Sequence, residues 1–224
     1  MNKKILITGA NRGIGLELAK QFKAKNHHIT ALCRHSSPEI KALADQVISN
    51  IDCRNHADIL KAKEACKLSS IDILINNAGI LRNESLGGIH DQAIDQIRDQ
   101  FLTNSLAPLI ITEHFLPLLK TGSKVILITS RMGSIADNDS GGRYGYRMSK
   151  AALNAAGKSL SIDLKKQGIA VGILHPGWVQ TEMTGHSGHL TAQKSAKQLI
   201  YQIENLNSEK SGSFFHSNGD KLPW

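Results

Sequence analysis

Residues 3–22 read KKILITGANRGIGLELAKQF: a short aliphatic run, a glycine-rich turn, then a stretch whose apolar positions recur at helical spacing. The glycines Gly9, Gly13 and Gly15 stand as G-x-x-x-G-x-G, a variant of the G-x-G-x-x-G dinucleotide fingerprint. The physics is shared. Glycines permit a tight turn and close backbone approach, and the helix that follows offers its first N–H groups to a pyrophosphate. Asn11, Arg12 and Ile14 lie inside the same turn and complete this candidate binding segment. A glycine loop alone also marks ordinary turns; its place directly after a first strand and at the opening of a helix gives it weight.

Outward from this unit, the aliphatic runs HHITALC, IDILINNAG, KVILITS and IAVGILHPG repeat the strand-like pattern, and GSFFHS closes the series. Such short, β-branched, nearly continuous runs fit strands buried on both faces of a parallel sheet. Helix-period segments lie between and after them, at Ile14–Lys25, Pro38–Asp45, Asn55–Lys67, Asp91–Leu119, Tyr144–Gln167 and Thr191–Asn207. The alternation predicts an α/β chain: a Rossmann-type, doubly wound parallel sheet of about seven strands with helices on both faces. No repeat, linker or low-complexity tract interrupts it, so residues 1–224 read as a single NAD(P)-binding domain.

The bulk composition excludes several classes. Hydrophobic residues make up 41% of the 224 and charged residues 21%, ordinary for a globular chain. Aromatics at 4% leave the core to aliphatic side chains. The net charge of +8 comes from scattered basic residues, mixed with acids and not interleaved with aromatics, which points away from nucleic acid. Cys33, Cys53 and Cys66 form no CxxC and fit free thiols in a reducing compartment. No run is long enough to span a bilayer, and the leading apolar run is too short for a signal sequence. These features predict a cytoplasmic protein without a membrane partner. No His/Cys/Asp cluster has metal-ligand spacing, so no metal is expected.

The position after the second strand bears on which dinucleotide is bound. An acid about 20 residues past the glycine turn ordinarily holds a free ribose 2′-hydroxyl. Here the chain reads ALCRHSS, with Arg34 and no acid. A forked guanidinium suits a 2′-phosphate, and Arg12 is placed to add a second cation to the same pocket. NADP is therefore expected over NAD.

The stretch RYGYRMSK, Arg143–Lys150, holds two tyrosines and a lysine. Helical residues four apart stack on one face, so Tyr146 meets Lys150 while Tyr144 lies over Met148. Alone, this is an ordinary surface helix. Joined to the TGANRGIG turn, NNAG at Asn76–Gly79, a lone Asn104, ITS ending at Ser130, and HPGWVQT, it completes an ordered set. Over nearly its whole length the chain resembles the short-chain dehydrogenases/reductases, and HPGWVQTEM with the closing GSFFHSNGDKLPW is most similar to their C-factor and Sniffer-type carbonyl reductases.

That resemblance implies hydride transfer from NADPH to a ketone or aldehyde. Tyr146 is the implied general acid/base, Lys150 lowers its pKa and binds the nicotinamide ribose, Ser130 bonds the substrate oxygen, and Asn104 holds a relay water. The serine–tyrosine gap is lengthened at DNDSGG, which keeps Ser134 as a second candidate serine. Asp52 is implied at the adenine, Asn76 near the adenosine ribose and bracing the sheet, and Ala78 and Gly79 in the same cofactor set. Pro176, Gly177, Val179 and Thr181 are implied toward the nicotinamide end; Thr181 also reads as a helix cap, and His175 as a core residue at a strand end. A free tyrosine titrates near 10, so a cation within about 4–5 Å is the expected device for making it a useful proton donor near neutrality. The alternative is a C-factor-like signalling or redox-sensing protein that acts through a partner. The family's dimers and tetramers form through the Asp91–Leu119 and Tyr144–Gln167 helices, although related carbonyl reductases also occur as monomers. Substrate identity rests on LRNESLGG and TGHSGHLTAQK, loops whose shape no spacing rule sets.

Overall fold

The structure, a computed structural model, describes residues 2–224. In chain order the strands are β1 (Lys4–Thr8), β2 (His28–Leu32), β3 (Gln46–Ile48), β4 (Ile71–Asn76), β5 (Leu119–Ile128), β6 (Ala170–His175), β7 (Val179–Gln180), β8 (Leu190–Thr191) and β9 (Phe214–His216). Seven of them form one sheet ordered β3-β2-β1-β4-β5-β6-β9, parallel throughout, while β7 and β8 pair separately. The helices are α1 (Gly13–Ala24), α2 (Pro38–Leu43), α3 (His56–Ala65), α4 (Asp91–Phe101), α5 (Ala107–Phe115), α6 (Tyr144–Asp163) and α7 (Ala192–Glu204). This is the doubly wound α/β architecture expected.

Alternation along each strand divides the core into two layers. Ile5 and Ile7 of β1 and Ile73 and Ile75 of β4 pack with Leu18 and Phe22 of α1 and Leu199 and Ile203 of α7. Leu6 and Leu74 face the other way, into a cluster with Ile59 of α3, Phe115 of α5 and Leu153 of α6. On α1 the buried set Gly15, Leu18, Ala19 and Phe22 makes one helical stripe. Asn26, at φ 61°, ends that helix in the left-handed conformation that asparagine tolerates. On α6 the buried face includes Gly157, where a methyl would come within 2.7 Å of Leu127 and 2.8 Å of Ile173, so the helix lies close against β5 and β6.

Two elements differ from expectation. The edge strand β3, Gln46–Ile48, carries no aliphatic run of the kind that locates five of the others, nor the aromatic pair that marks the equally short β9 at the opposite edge. The Asp91–Leu119 segment is not one α-helix: α4 passes into a π turn at Leu102–Leu106, then α5 and a 3-10 turn at Leu116–Leu118. Ala107 N–H donates to the Leu102 carbonyl, five residues back. Pro108 supplies the reason, since it lacks the N–H that the Asn104 carbonyl would accept in α-helical winding.

Candidate active site

The chain reverses direction across the sheet between β1 and β4, and the crevice opens there, beyond the carboxyl ends of the strands. A cavity of about 700 Å³ fills it. Its floor is the turn between β1 and α1. At Gly9 a methyl would stand 2.9 Å from the Ala78 Cα, and at Gly15 it would stand 2.3 Å from the Gly9 carbonyl oxygen. The turn is braced from β4: Asn77 Nδ2 donates to the Thr8 and Gly9 carbonyls (3.0 and 3.2 Å), and the Asn77 and Ala78 amides donate to Thr8 Oγ1 (3.0 Å each). Helix α1 starts at Arg12 with no side-chain cap and no acid in its first turn, which leaves its first N–H groups to an anion. These features fit a dinucleotide pyrophosphate.

Gly9, Asn11, Arg12, Gly13, Ile14, Arg34, Asp52, Ala78, Gly79, Tyr146, Lys150, Pro176 and Thr181 all line the cavity. Gly15, Gly177 and Val179 support its wall instead of facing it. Gly15 is the close contact between turn and helix, Gly177 packs against Leu190, and Val179 pairs with Leu190 in the small sheet. Asn76 keeps only one of its two expected places: its side chain is buried and donates to Thr112 Oγ1 (3.1 Å) on α5, which braces the sheet, but it does not line the cavity toward the ribose. Its neighbour Asn77 takes the lining position.

The two cations expected at the 2′-phosphate end are not equivalent. Arg12 is held by Glu182 in an ion pair that ties the glycine turn to the segment after β7, whereas Arg34 has no carboxylate within ion-pair distance among the described residues. Asp52 is engaged by Arg54 (2.7 Å), which also reaches Asp99 (2.7 Å). The hydrogen bonds from Arg54 hold the Asp52 carboxyl below its ordinary range. Glu182 escaped the sequence reading because its partner Arg12 is far away in the chain, and so did the reach of Arg54 to Asp99, although its bond to Asp52 is local.

At the other end of the cavity α6 presents Tyr146 and Lys150 on one face, with Lys150 Nζ 5.9 Å from the tyrosine ring centre. Met148 is exposed, and Tyr144 does not line the cavity. Lys150 Nζ donates to the Ile128 carbonyl at the end of β5 (2.9 Å). Ser130, just past β5, shares a hydrogen bond with Tyr146. Ser134 instead accepts from the Asp137 amide (3.1 Å), so the structure brings Ser130 and not Ser134 to the tyrosine. Asn104 is fully buried in the π turn. Its Oδ1 accepts from Ile80 N–H (2.8 Å) and its Nδ2 donates to the Ile80 carbonyl (2.8 Å) and Ser149 Oγ (3.0 Å). A methyl at Gly79 would stand 3.2 Å from Asn104 Oδ1 and 3.7 Å from Lys150 Nζ, so bare backbone lets the three elements meet.

The electrostatics run against the simplest expectation. Burial pushes the Tyr146 phenol above its ordinary value, with the Ser130 hydrogen bond and the Arg143 charge opposing it. Burial also pushes the Lys150 ammonium down to about 7. The dry environment thus drives both groups toward neutrality, and Lys150 is not a permanent cation near pH 7. His175, at the end of β6, is a structural residue as expected, lowered to about 3 by burial and neighbouring positive charge.

One functional residue had no sequence signal. Glu84, in the loop after β4, is buried; its carboxylate accepts from the Gly145 amide (3.2 Å) and from Gln100 Nε2. Helix α6 has no side-chain cap of its own at Arg143, so Glu84 caps it from a distant loop.

The short chain dehydrogenase family model matches residues 3–191. Among relatives, the chain is 36% identical to 1-hydroxy-2-glutathionyl-2-methyl-3-butene dehydrogenase of Rhodococcus sp. (strain AD45), over 98% of this chain and 99% of that one. It is 47% identical to C-signal of Myxococcus xanthus over 69% of this chain and 93% of that protein. Two solved carbonyl reductases, Sniffer of D. melanogaster and an NADPH-bound enzyme from chicken fatty liver, each overlay with a TM-score of 0.86, at 33% and 29% identity. Each overlay covers all of this chain, and 100% and 99% respectively of the solved one. The likeness to C-factor and Sniffer-type proteins read from the closing segments is thus found in both comparisons. The chain belongs to the short-chain dehydrogenase family, and is an oxidoreductase built to take a nicotinamide cofactor.

Proposed function

We propose that the protein, as a single domain, reduces a ketone or aldehyde with NADPH, turning C=O, NADPH and a proton into CH–OH and NADP⁺. The meeting of Tyr146 and Lys150 at the far end of the glycine-floored cavity, with Ser130 beside the tyrosine though not in the cavity wall, carries this reading. NADPH, when bound, supplies the hydride to the carbonyl carbon. Tyr146 Oη gives its proton to the carbonyl oxygen as charge develops there, and Ser130 Oγ donates a hydrogen bond to the same oxygen. Because burial keeps the phenol protonated, the tyrosine is set up as an acid for reduction. Lys150, held by the Ile128 carbonyl, is the group from which the phenol recovers its proton and the cation that stabilises its anion while the two exchange. Asn104, clamped onto Ile80 and Ser149, fixes the π turn beside the lysine and so places a relay water there. The glycine turn, Asn77 and the start of α1 would hold the pyrophosphate, and Arg34 the 2′-phosphate. Self-association belongs to the same reading: Ile94, Phe101, Leu106, Leu109 and Met148 remain exposed on the two helical stretches named for it.

Tyr146→Phe should lower carbonyl-dependent NADPH oxidation by about 10²–10⁴-fold while NADPH still binds, as read by nucleotide fluorescence; normal turnover in that variant refutes the role. Arg34→Asp should weaken NADPH at least tenfold more than NADH, since a charge-assisted fork is worth about 1.5–3 kcal/mol. Equal effects on the two dinucleotides remove the 2′-phosphate role.

A second reading follows from the C-signal likeness: a cytoplasmic protein that binds NAD(P) and acts through a protein partner. NADPH binding without turnover of any carbonyl in a broad panel would favour it.

A further inference from the structure

A second cavity, of about 470 Å³, adjoins the start of α6 between the loop after β4 and the loop after β5. Arg143 and Arg147 line it, with Met132, Ser140 and Glu84. Glu84 is the one acid among these lining residues, and its carboxylate is turned inward to Gly145 and Gln100. Arg147 bonds only neutral groups, the Gly141 and Gly142 carbonyls (3.2 Å each) and Ser140 Oγ (2.8 Å). Among the described residues Arg143 has no carboxylate partner, and its one side-chain polar contact is a long one to Met132 Sδ (3.9 Å). The nearby Asp137 is taken by Arg131 (2.9 Å). The cavity therefore presents two positive charges and no available negative one.

Arg143 is also held in an uncommon way. Its φ of 50° lies in the left-handed region, which a branched-free but bulky side chain enters at a cost, and Gly141 and Gly142 before it have positive φ as well. The Arg143 amide donates to the Glu84 carbonyl (2.9 Å), so the same residue that caps α6 fixes this arginine at its first turn. Arg143 precedes Tyr146 by three positions, as the cap of the helix that carries it, and its charge reaches the phenol. The recess thus neighbours the catalytic groups through Met132, whose amide donates to Ser130 Oγ (3.1 Å), and through Arg143, whose exposed, unpaired guanidinium is arranged for an anion attached to the reacting molecule.

We infer that this recess is a substrate subsite, in which Arg143 and Arg147 select carbonyl or alcohol compounds that carry a carboxylate. The inference rests on the reductase reading above and adds the substrate class to it.

The test compares two aldehydes of similar shape, 4-carboxybenzaldehyde and its uncharged methyl ester, with NADPH as donor. The wild-type protein should favour the carboxylate in kcat/KM by about tenfold or more, and the preference should reside in KM. KM for the carboxylate should rise steeply as salt goes from about 10 to 300 mM, while that of the ester stays nearly level. Arg143→Gln should bring the kcat/KM ratio of the two aldehydes close to one, and Arg147→Gln should lower it part of the way. Equal use of the two aldehydes by the wild type overturns the inference and leaves the reductase reading intact. So does a full carboxylate preference in a folded Arg143→Gln protein, or in Arg147→Gln should the first variant fail to fold. No reduction of either aldehyde, nor of any other carbonyl, by protein that binds NADPH overturns the reductase reading, and this inference with it.

Discussion

Replacing Lys150 with Met tests how strongly the dry site opposes its own chemistry. The lysine keeps its proton only up to about pH 7 where a free side chain would hold it up to 10.5, and burial is the cause. At about 1.4 kcal/mol per pH unit, the folded protein at pH 7 carries a penalty of roughly 4 kcal/mol for this one group. Methionine has nearly the same length and no charge, so it removes the penalty. It also removes the donor to the Ile128 carbonyl, which costs about 1–2 kcal/mol in return. The net gain of about 2–3 kcal/mol should raise Tm by roughly 5–10 °C for a chain of this size. The sign with pH is fixed. A folded-state pKa below the unfolded one means that wild-type stability is highest above 10.5 and is lost as pH falls through 7. The gap between Lys150→Met and wild type should therefore open between pH 10 and pH 7 and stay constant below. Circular-dichroism melts of both proteins without nucleotide, at pH 6, 8 and 10, measure it. A lower Tm for the variant at pH 7, or a gap that is flat from pH 10 to pH 6, would refute the burial argument. The same variant should lose turnover, which makes the lysine a residue kept for function against stability.

Glu84→Ala removes two charge-assisted bonds and leaves the Gln100 amide and the start of α6 without an acceptor, so it should cost about 2–4 kcal/mol and lower Tm by roughly 4–12 °C. Glu84→Gln should fall between the two, and a melt indistinguishable from wild type in the alanine variant would count against remote capping. His175 stays neutral to about 3 in the fold, whereas an unfolded chain takes up that proton near 6.5. Stability should therefore drain away as pH falls from 6.5 toward 3, and His175→Asn should lose less over that window. Urea midpoints at pH 7 and pH 4 report it, and equal losses in the two proteins would exclude His175 as the source.

The fold was legible because five of its seven sheet strands are aliphatic runs separated by helix-period segments, a sixth is marked by Phe214 and Phe215, and the glycine turn shows where the sheet begins. β3 was not, since three residues carry no period. The face-sharing of Tyr146 and Lys150 followed from helical geometry alone. Their protonation did not, because desolvation depends on what surrounds a side chain and spacing says nothing of that. Asn76 and Asn77 illustrate the same limit: adjacent and identical in type, they separate only when alternation at the end of β4 sends one into α5 and the other toward the glycine turn. The Arg12–Glu182 pair and the Glu84 cap join segments about 170 and 60 residues apart by chain position, and nothing local announces either.

The π turn at Leu102–Leu106 gives the long helical segment one residue more than regular winding would use. A chain shortened by a single position there would close the turn into regular winding and leave α4 and α5 in phase, so the change would stay local to the turn. Asn104 would then swing off Ile80, while the apolar stripes of α4 and α5 kept their places against the sheet. The extra residue at this point is consequently what sets Asn104 against Ile80 and Ser149, at the cost of one regular helical hydrogen bond.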